Sequence, residues 1–390
     1  MIPYTSFLYF GVSLYVLIPN LVIGWIKKLG RVWIVIATIV MLVVQYWIVQ
    51  NISKQSAVLE IWMVVGYAMF QWLVALSFLV YRKRRKSSWV FFAVILLSLL
   101  PWLAARLAPL IQSSNDLFFL GLSYLTFRSL DVIINIQDGL IQGLQPIQYF
   151  MFLLFFPTIS SGPIDRYQRF SSDWQHERTG PEFLKDLDGG IHRIFTGFLY
   201  KFILGVLIQR YWLNPVTAGT QLWQIMSYMY AYSFYLFFDF AGYSNFAIGF
   251  SYLFGIHTPE NFNLPFLARN IRDFWNRWHI SLSWWFRDHV YSRFVFSALK
   301  GHWFKNKYMA SYLGFILSMG LMGLWHGTAW HYIIYGLYHG VLLVVTDWFL
   351  RFNKQKKIFN GERRIWQVVS IFLTFNLVCF GFLIFSGRLG

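Results

Sequence analysis

Apolar runs of about twenty residues, separated by short charged loops, recur from one end of this 390-residue chain to the other. At 1.5 Å per residue, about twenty helical residues cross the roughly 30 Å hydrocarbon core of a bilayer. Inside that core the backbone must satisfy its own hydrogen bonds, which only helices and closed barrels do. The in-out alternation of barrel strands is absent. The predicted fold class is therefore all-α, a polytopic integral membrane protein. Composition agrees: 57% of residues are hydrophobic and 13% charged, and a soluble protein so poor in charge would expose large apolar patches.

Four runs open the chain, at about 7–26, 32–50, 57–81 and 89–110. KKLGR (27–31), NISKQ (51–55) and RKRRK (82–86) separate them. Lys and Arg collect in cytoplasmic loops, so this order predicts an extracellular N-terminus, with the first and third loops in the cytoplasm. The same bias accounts for the net charge of +17 without any nucleic acid; the partner it implies is the lipid bilayer. No charged side chain precedes Lys27. A cleaved signal needs a basic leading region, so the first run reads as a retained span. The single cysteine, Cys379, excludes an intramolecular disulfide.

Further runs lie at about 194–212, 222–255, 308–325, 330–350 and 366–386. The intervening pattern is less regular. Arg128 and Asp131 stand three apart in the apolar stretch 121–142, a spacing that permits a pair. FFPTISSGPIDRYQRF (155–170) carries two prolines and a Gly-Pro step, so any helix there must break. Residues 171–193 are the most polar, and Pro181 suits the first turn of an amphipathic helix. A loop at 257–265 precedes a mixed helix at 266–298. No repeat or separable soluble domain is evident, so 1–390 reads as a single transmembrane domain.

Two stretches carry the polar chemistry. In ARNIRDFWNRWHISLSWWFRDHVY (268–291), Asp273 and Arg277 stand four apart, and Asn276 and His279 three apart, spacings that let both pairs meet on a helix. So dense a polar stripe faces a cavity, an interface or protein interior, or else belongs to an interfacial helix whose arginines snorkel. In LMGLWHGTAWHYIIYGLYHG (321–340), His326, His331 and His339 occur without one charged residue. On a helix His331 and His339 lie roughly 140° and 220° round from His326, at about 100° per residue. No two share the face that a helical metal site uses, so no metal is expected. Gly323, Gly327, Gly336 and Gly340 permit close backbone approach, and a neutral imidazole suits proton removal from a hydroxyl near pH 7. Asp239 is an acid inside an apolar run: a functional candidate, or a structural partner for Arg, Tyr or backbone. Nucleophile-elbow, Walker A, HExxH, CxxC and EF-hand motifs are absent.

RDFWNRWHISLSWWFRDHVY, followed 47 residues after its His279 by the histidine of GLWHGTAW (326 − 279), resembles the membrane-bound O-acyltransferase (MBOAT) family. FDFAGYSNFAIGFSYLFGI and PENFN are similar to its bacterial branch. MIPYTSFLYF, FFPTISSGPIDRYQRF and CFGFLIFSGRLG resemble its D-alanyl-transferring members more than those that acetylate alginate. The resemblance runs from residue 1 to 390. It implies a ring of about eleven transmembrane helices, with re-entrant or short helices, around a central cavity in a Gram-positive cell membrane. It assigns the W-H-G histidine to His326 and the R-W-H histidine to His279, and leaves His331 and His339 unassigned. His289 stands where an aromatic such as Tyr is expected.

By this resemblance His326 is the general base on an acceptor hydroxyl, and His279, with Asn276 nearby, positions that hydroxyl or the donor carbonyl. Arg277 and Asp239 are supporting residues. The donor is D-alanine in thioester linkage to the phosphopantetheine of a cytoplasmic carrier protein. The acceptor is a teichoic-acid hydroxyl at the outer face, with other membrane proteins of the same pathway as partners and no bound cofactor. Such carriers are acidic, so their dock should be basic with an apolar centre. Arg293 and Lys300 around Val295, Phe296 and Leu299 have that make-up, as does an ordinary basic loop dipping into lipid. The alternatives are O-acetylation of an exported polysaccharide and a proton-coupled transporter; transporters usually show repeated halves.

Overall fold

The early apolar runs form helices in the computed structural model, which describes residues 4–5, 7–23, 26–49, 57–108, 119–357 and 363–389. The neutral loop predicted at 51–55 lies outside the described residues. Helices α1 (Phe7–Ile23), α2 (Lys27–Val49), α3 (Ala57–Arg84) and α4 (Ser88–Leu107) match the first four predicted spans. Helix α5 (Leu122–Gln137) is buried on nearly every face, its Arg128 and Asp131 included.

The predicted break follows α6 (Pro146–Leu154), where a 3-10 turn at Phe156–Thr158 takes over. A broken helix leaves its last carbonyls without partners, and the fully buried Arg128 supplies them. Its guanidinium donates to the carbonyls of Phe152 (3.0 Å), Leu153 (2.8 Å) and Thr158 (2.7 Å). Asp131 serves the other side of the break. It accepts from Arg166 (2.8 Å) and from the Tyr167 amide (3.1 Å), at the start of α7 (Tyr167–Gln175). Arg128 and Asp131 thus each take partners from the segment that the prolines disrupt.

Helix α8 (Gly180–Phe198) starts at a reciprocal cap. The Thr179 amide donates to Glu182 (2.8 Å), and the Glu182 amide donates back to the Thr179 hydroxyl (3.4 Å). It then continues through a π-helical turn at Leu199–Gly205, α9 (Val206–Ile208), a second π-helical turn at Gln209–Leu213 and α10 (Asn214–Val216). The predicted span 194–212 is therefore the interior of one helical stretch, Gly180–Val216, and the polar residues before it are its first turns. Helix α11 (Leu222–Leu253) follows.

The mixed helix predicted at 266–298 is instead a chain of short pieces. They are a 3-10 turn (Pro265–Leu267), α12 (Ile271–Trp275), α13 (Ile280–Phe286), a π-helical turn (Arg287–Tyr291) and α14 (Ser292–Lys300). Helices α15 (Lys307–His326), α16 (Trp330–Lys356) and α17 (Arg364–Phe385) complete the chain. Among the described residues, seven helical segments are long and apolar enough to cross a membrane, with shorter apolar helices at Leu8–Ile23 and Pro146–Thr158. The chain is a polytopic α-helical membrane protein.

The residues pack as two units, one of Met1–Gly197 with Tyr243–Pro259, the other of Phe198–Gly242 with Glu260–Gly390. The first contains a charged clamp. His257 donates to Asp186 (2.7 Å) through Nε2, its amide donates to Asp173 (2.7 Å), and Arg169 bonds Asp165, Asp173 and the His257 carbonyl. Hydrogen bonds to Asp173 and Asp186 raise the His257 pKa from 6.5 to about 9. A raised pKa means that the folded state holds the proton more tightly, so this stabilisation is complete below pH 6.5 and is lost as pH rises through about 9. Melting curves of wild type and His257→Gln in detergent should differ at pH 6 and converge above pH 9. A gap that persists at alkaline pH would show that the protonated ring is not the source.

Candidate functional site

Both family-assigned histidines fall in the second unit, and a loop fixes the first. Helix α12 opens on Asn270, whose side chain accepts from the Asp273 amide (2.9 Å), and ends at Trp275. The chain then turns through Arg277 and Trp278 against residues 261–263. The Asn263 amide donates to the Arg277 carbonyl (2.9 Å), Phe262 and Trp278 form an antiparallel bridge, and the Ile280 amide donates to the Asn261 carbonyl (3.0 Å). The Ser281 hydroxyl adds a bond to the Asn261 side chain (2.6 Å).

Held on both sides, His279 adopts φ 42°, ψ 52°, the left-handed region that non-glycine residues rarely enter. Such strain persists only where the surroundings over-determine it, and it concentrates at functional sites. The imidazole is 4% exposed and stands edge-on to Phe240, with ring centres 4.7 Å apart. Its Nε2 has no hydrogen-bond partner among the described residues. A buried nitrogen in that state is available to a ligand.

His326 is the last residue of α15 and half-buried. Its ring lies 4.5 Å from Trp325, 4.9 Å edge-on from Phe385 and 6.2 Å from Tyr332. The Trp325 ring is also 6.3 Å from His279, so one indole neighbours both imidazoles, which are close enough to interact electrostatically. His331, unassigned by resemblance, bonds the Phe385 carbonyl (2.9 Å) and so fixes the residue whose ring packs on His326. His339 is fully buried among Trp275, Tyr335 and Tyr338.

Close helix packing sets the position of His326. A Cβ at Gly323 would strike the Tyr332 carbonyl and come within 3.2 Å of the Gly336 Cα. A Cβ at Gly336 would strike the Met319 carbonyl and come within 3.1 Å of the Gly323 Cα. Helices α15 and α16 touch backbone to backbone here, as the glycine spacing predicted.

A cavity of about 490 Å³ lies in the same unit. Trp275, Phe315, Met319, Met322 and Leu343 give it apolar walls, while Arg272, Arg287 and Arg351 bring three cations. Asp347, 5% exposed, binds both Arg272 and Arg351 (2.5 Å for the latter). Asn276 is exposed on the cavity wall, whereas neither His279 nor His326 is a lining residue. The helical face predicted to join Asn276 with His279 does not exist, because α12 ends at Trp275 and α13 starts only at Ile280.

The remaining sequence-predicted residues take varied places. Arg277 forms the expected pair with Asp273 (2.7 Å) and reaches the Asn263 carbonyl (3.3 Å), so it holds the loop that sets His279. Asp239 bonds Lys201 from the π-helical turn after α8. On α14, Phe296 and Leu299 are 68% and 48% exposed, whereas Val295 is half-buried and points at Gly314. Sequence reasoning did not single out Trp325, Phe385, Lys201 or Asn261. Trp325 adjoins His326, Asn261 lies in the quoted PENFN and Phe385 in the quoted CFGFLIFSGRLG; Lys201 carries no local signal. No group of three or more His, Cys, Asp or Glu able to hold a metal occurs among the described residues.

The sequence was compared with known proteins. The model of the MBOAT, membrane-bound O-acyltransferase family matches residues 57–386. A teichoic acid D-alanyltransferase of Bacillus subtilis (strain 168) is 43% identical, the alignment covering 100% of this chain and 98% of the relative. The teichoic acid D-alanyltransferase of Lacticaseibacillus rhamnosus is 44% identical over 83% of this chain and 84% of its own. A probable alginate O-acetylase of Pseudomonas aeruginosa is 33% identical, over 69% of this chain and 49% of its own.

Proposed function

The chain belongs to the membrane-bound O-acyltransferase family, and from that premise we propose that it transfers D-alanine from a carrier-protein thioester to a hydroxyl on the way to teichoic acid. The observation that carries the reading is the pair His326 and His279 beside one indole, the second held in a strained conformation with a buried nitrogen unpaired. The full-length similarity to teichoic acid D-alanyltransferases supports the acyl group and the acceptor. The alginate relative matches over half its length only.

In this reading His326 takes the proton of the acceptor hydroxyl as its oxygen attacks the thioester carbonyl. The carbon–sulfur bond breaks, an ester forms, and the departing thiolate receives the proton from the imidazolium. His279 Nε2 positions the reacting groups. The 490 Å³ cavity suits the donor arm: its apolar depth fits a pantetheine chain and its arginines fit a phosphodiester. The basic segments 27–31, in the first turns of α2, and 82–86, at the end of α3, would face the cytoplasm, where the carrier is charged. The direct test supplies membranes containing the chain with D-alanyl carrier or acetyl carrier, and measures free thiol and ester. Faster turnover of acetyl carrier would overturn the acyl assignment; no thiol release from either would overturn the donor.

Helix α14 follows directly on Tyr291 of the cavity wall, which favours it as the carrier's dock. Phe296→Asp and Leu299→Asp should each weaken carrier binding by roughly tenfold or more, as burying an unpaired charge at an interface centre does. Arg293→Ala and Lys300→Ala should mainly slow association. Val295→Asp would burden the packing on Gly314 and is a poor probe of docking. Wild-type affinity in both Phe296→Asp and Leu299→Asp would move the dock elsewhere.

A further inference from the structure

A second cavity, of about 430 Å³, lies in the first unit beside the end of α3. Leu79, Ile136 and Ile141, each at most 5% exposed, give it an apolar floor. Arg82, Lys83 and Lys86 stand on one side, Asp138, Gly139 and Gln142 on the other. The facing turn is built rather than loose. The amides of Leu140 and Ile141 both donate to the Asn135 carbonyl (2.9 and 3.3 Å), with Gly139 at φ 79°. Arg82 is tied across by two bonds to the Gln137 carbonyl, at 3.3 and 2.9 Å.

RKRRK supplies five cations, but only Arg82, Lys83 and Lys86 line the cavity; Arg84 and Arg85 do not. A cytoplasmic bias in Lys and Arg explains their number. It requires neither an apolar-floored cavity nor this division between lining and non-lining cations. Three cations against the single carboxylate Asp138 leave an excess of positive charge. Val80 and Leu140, neighbours in sequence to cavity residues, and Ile147 at the start of α6 are 52%, 58% and 64% exposed and offer an apolar surface to acyl chains.

We propose that this cavity binds a phosphoryl headgroup delivered by an anionic membrane lipid. Lys83 and Lys86 make the principal contacts, and Arg82, already anchored, fixes the wall. Basic pockets between helices at the cytoplasmic surface are suited to such headgroups.

Two double variants of equal charge test this in the full chain. Lys83→Ala/Lys86→Ala removes two lining cations, and Arg84→Ala/Arg85→Ala removes two that are not lining. All four side chains are exposed, so both variants should fold, which their melting temperatures in lipid-free detergent will verify. Retention of phosphatidylglycerol and of phosphatidylcholine is then measured by native mass spectrometry. The lining pair should lose about thirtyfold in phosphatidylglycerol affinity, the worth of two cations at an anionic surface. The other pair should lose no more than about threefold, and phosphatidylcholine should be retained poorly by all. Equal losses in the two variants would assign the effect to diffuse charge and overturn the proposal, as would no loss in either. Displacement of the lipid by millimolar inorganic phosphate would make the free anion the ligand and overturn the lipid assignment.

Discussion

His326→Asn should reduce D-alanyl ester formation by about 10²- to 10⁴-fold, the usual worth of a positioned base, while membrane insertion and carrier binding stay at wild-type levels. The expectation of intact folding rests on location. His326 ends α15, is half-buried and packs on the rings of Trp325 and Phe385, so a smaller polar residue leaves the helix packing in place. His279→Asn is the companion variant. Asn tolerates the left-handed region better than most residues, so it keeps the φ 42° backbone and removes only the imidazole. Alanine carries the same Cβ but is less at home in the left-handed region than Asn or His, so it would mix a backbone effect with loss of the imidazole. A positioning group matters less than a proton acceptor, so His279→Asn should cost less than His326→Asn. Ester is measured in cells at matched protein abundance. Near-normal ester with His326→Asn would remove it from the mechanism, whatever His279→Asn does.

How far the sequence foretells this arrangement depends on how local each cause is. Spans α1 to α4 and α15 to α17 were legible because each needs only its own apolar run. The break after α6 was legible too, since Pro157 and Pro163 act on their own backbone. Arg128 as the donor to the freed carbonyls was not, because its partners lie 24 to 30 residues on. The segment 266–298 misled for the same reason. Its spacings are helical, yet Asn261 and Asn263 bind the backbone on either side of His279 and end the helix. That non-local pairing also produces the strained conformation, which no propensity reports. Family resemblance alone singled out the two histidines, whereas the hold of Arg277 on the Asn263 carbonyl depends on a stretch of chain 14 residues away. Asp239 found Lys201, a cation inside an apolar stretch 38 residues away, to which nothing around Asp239 pointed.

Gly336→Ala should be the most damaging small substitution in the second unit. Taken alone, alanine for glycine in a helix interior gains about 1 kcal/mol of propensity. Against that, the new methyl meets the Met319 carbonyl and lies 3.1 Å from the Gly323 Cα. Both obstacles are backbone of α15, so no rotamer change relieves them and the two helices must separate. Overpacking of a tight interior costs about 1–3 kcal/mol even where side chains can shift, so the clash outweighs the propensity gain. Separation also moves His326, three residues beyond Gly323, relative to Tyr332 on α16. Transfer should therefore fall together with stability, in contrast to His326→Asn. Gly320→Ala is the control on the same helix: the nearest neighbour of its new methyl is a flexible Leu337 carbon at 3.6 Å, ordinary contact. It should melt at or above the wild-type temperature and keep activity. If Gly336→Ala melts like Gly320→Ala, the backbone contact between α15 and α16 does not set the position of His326.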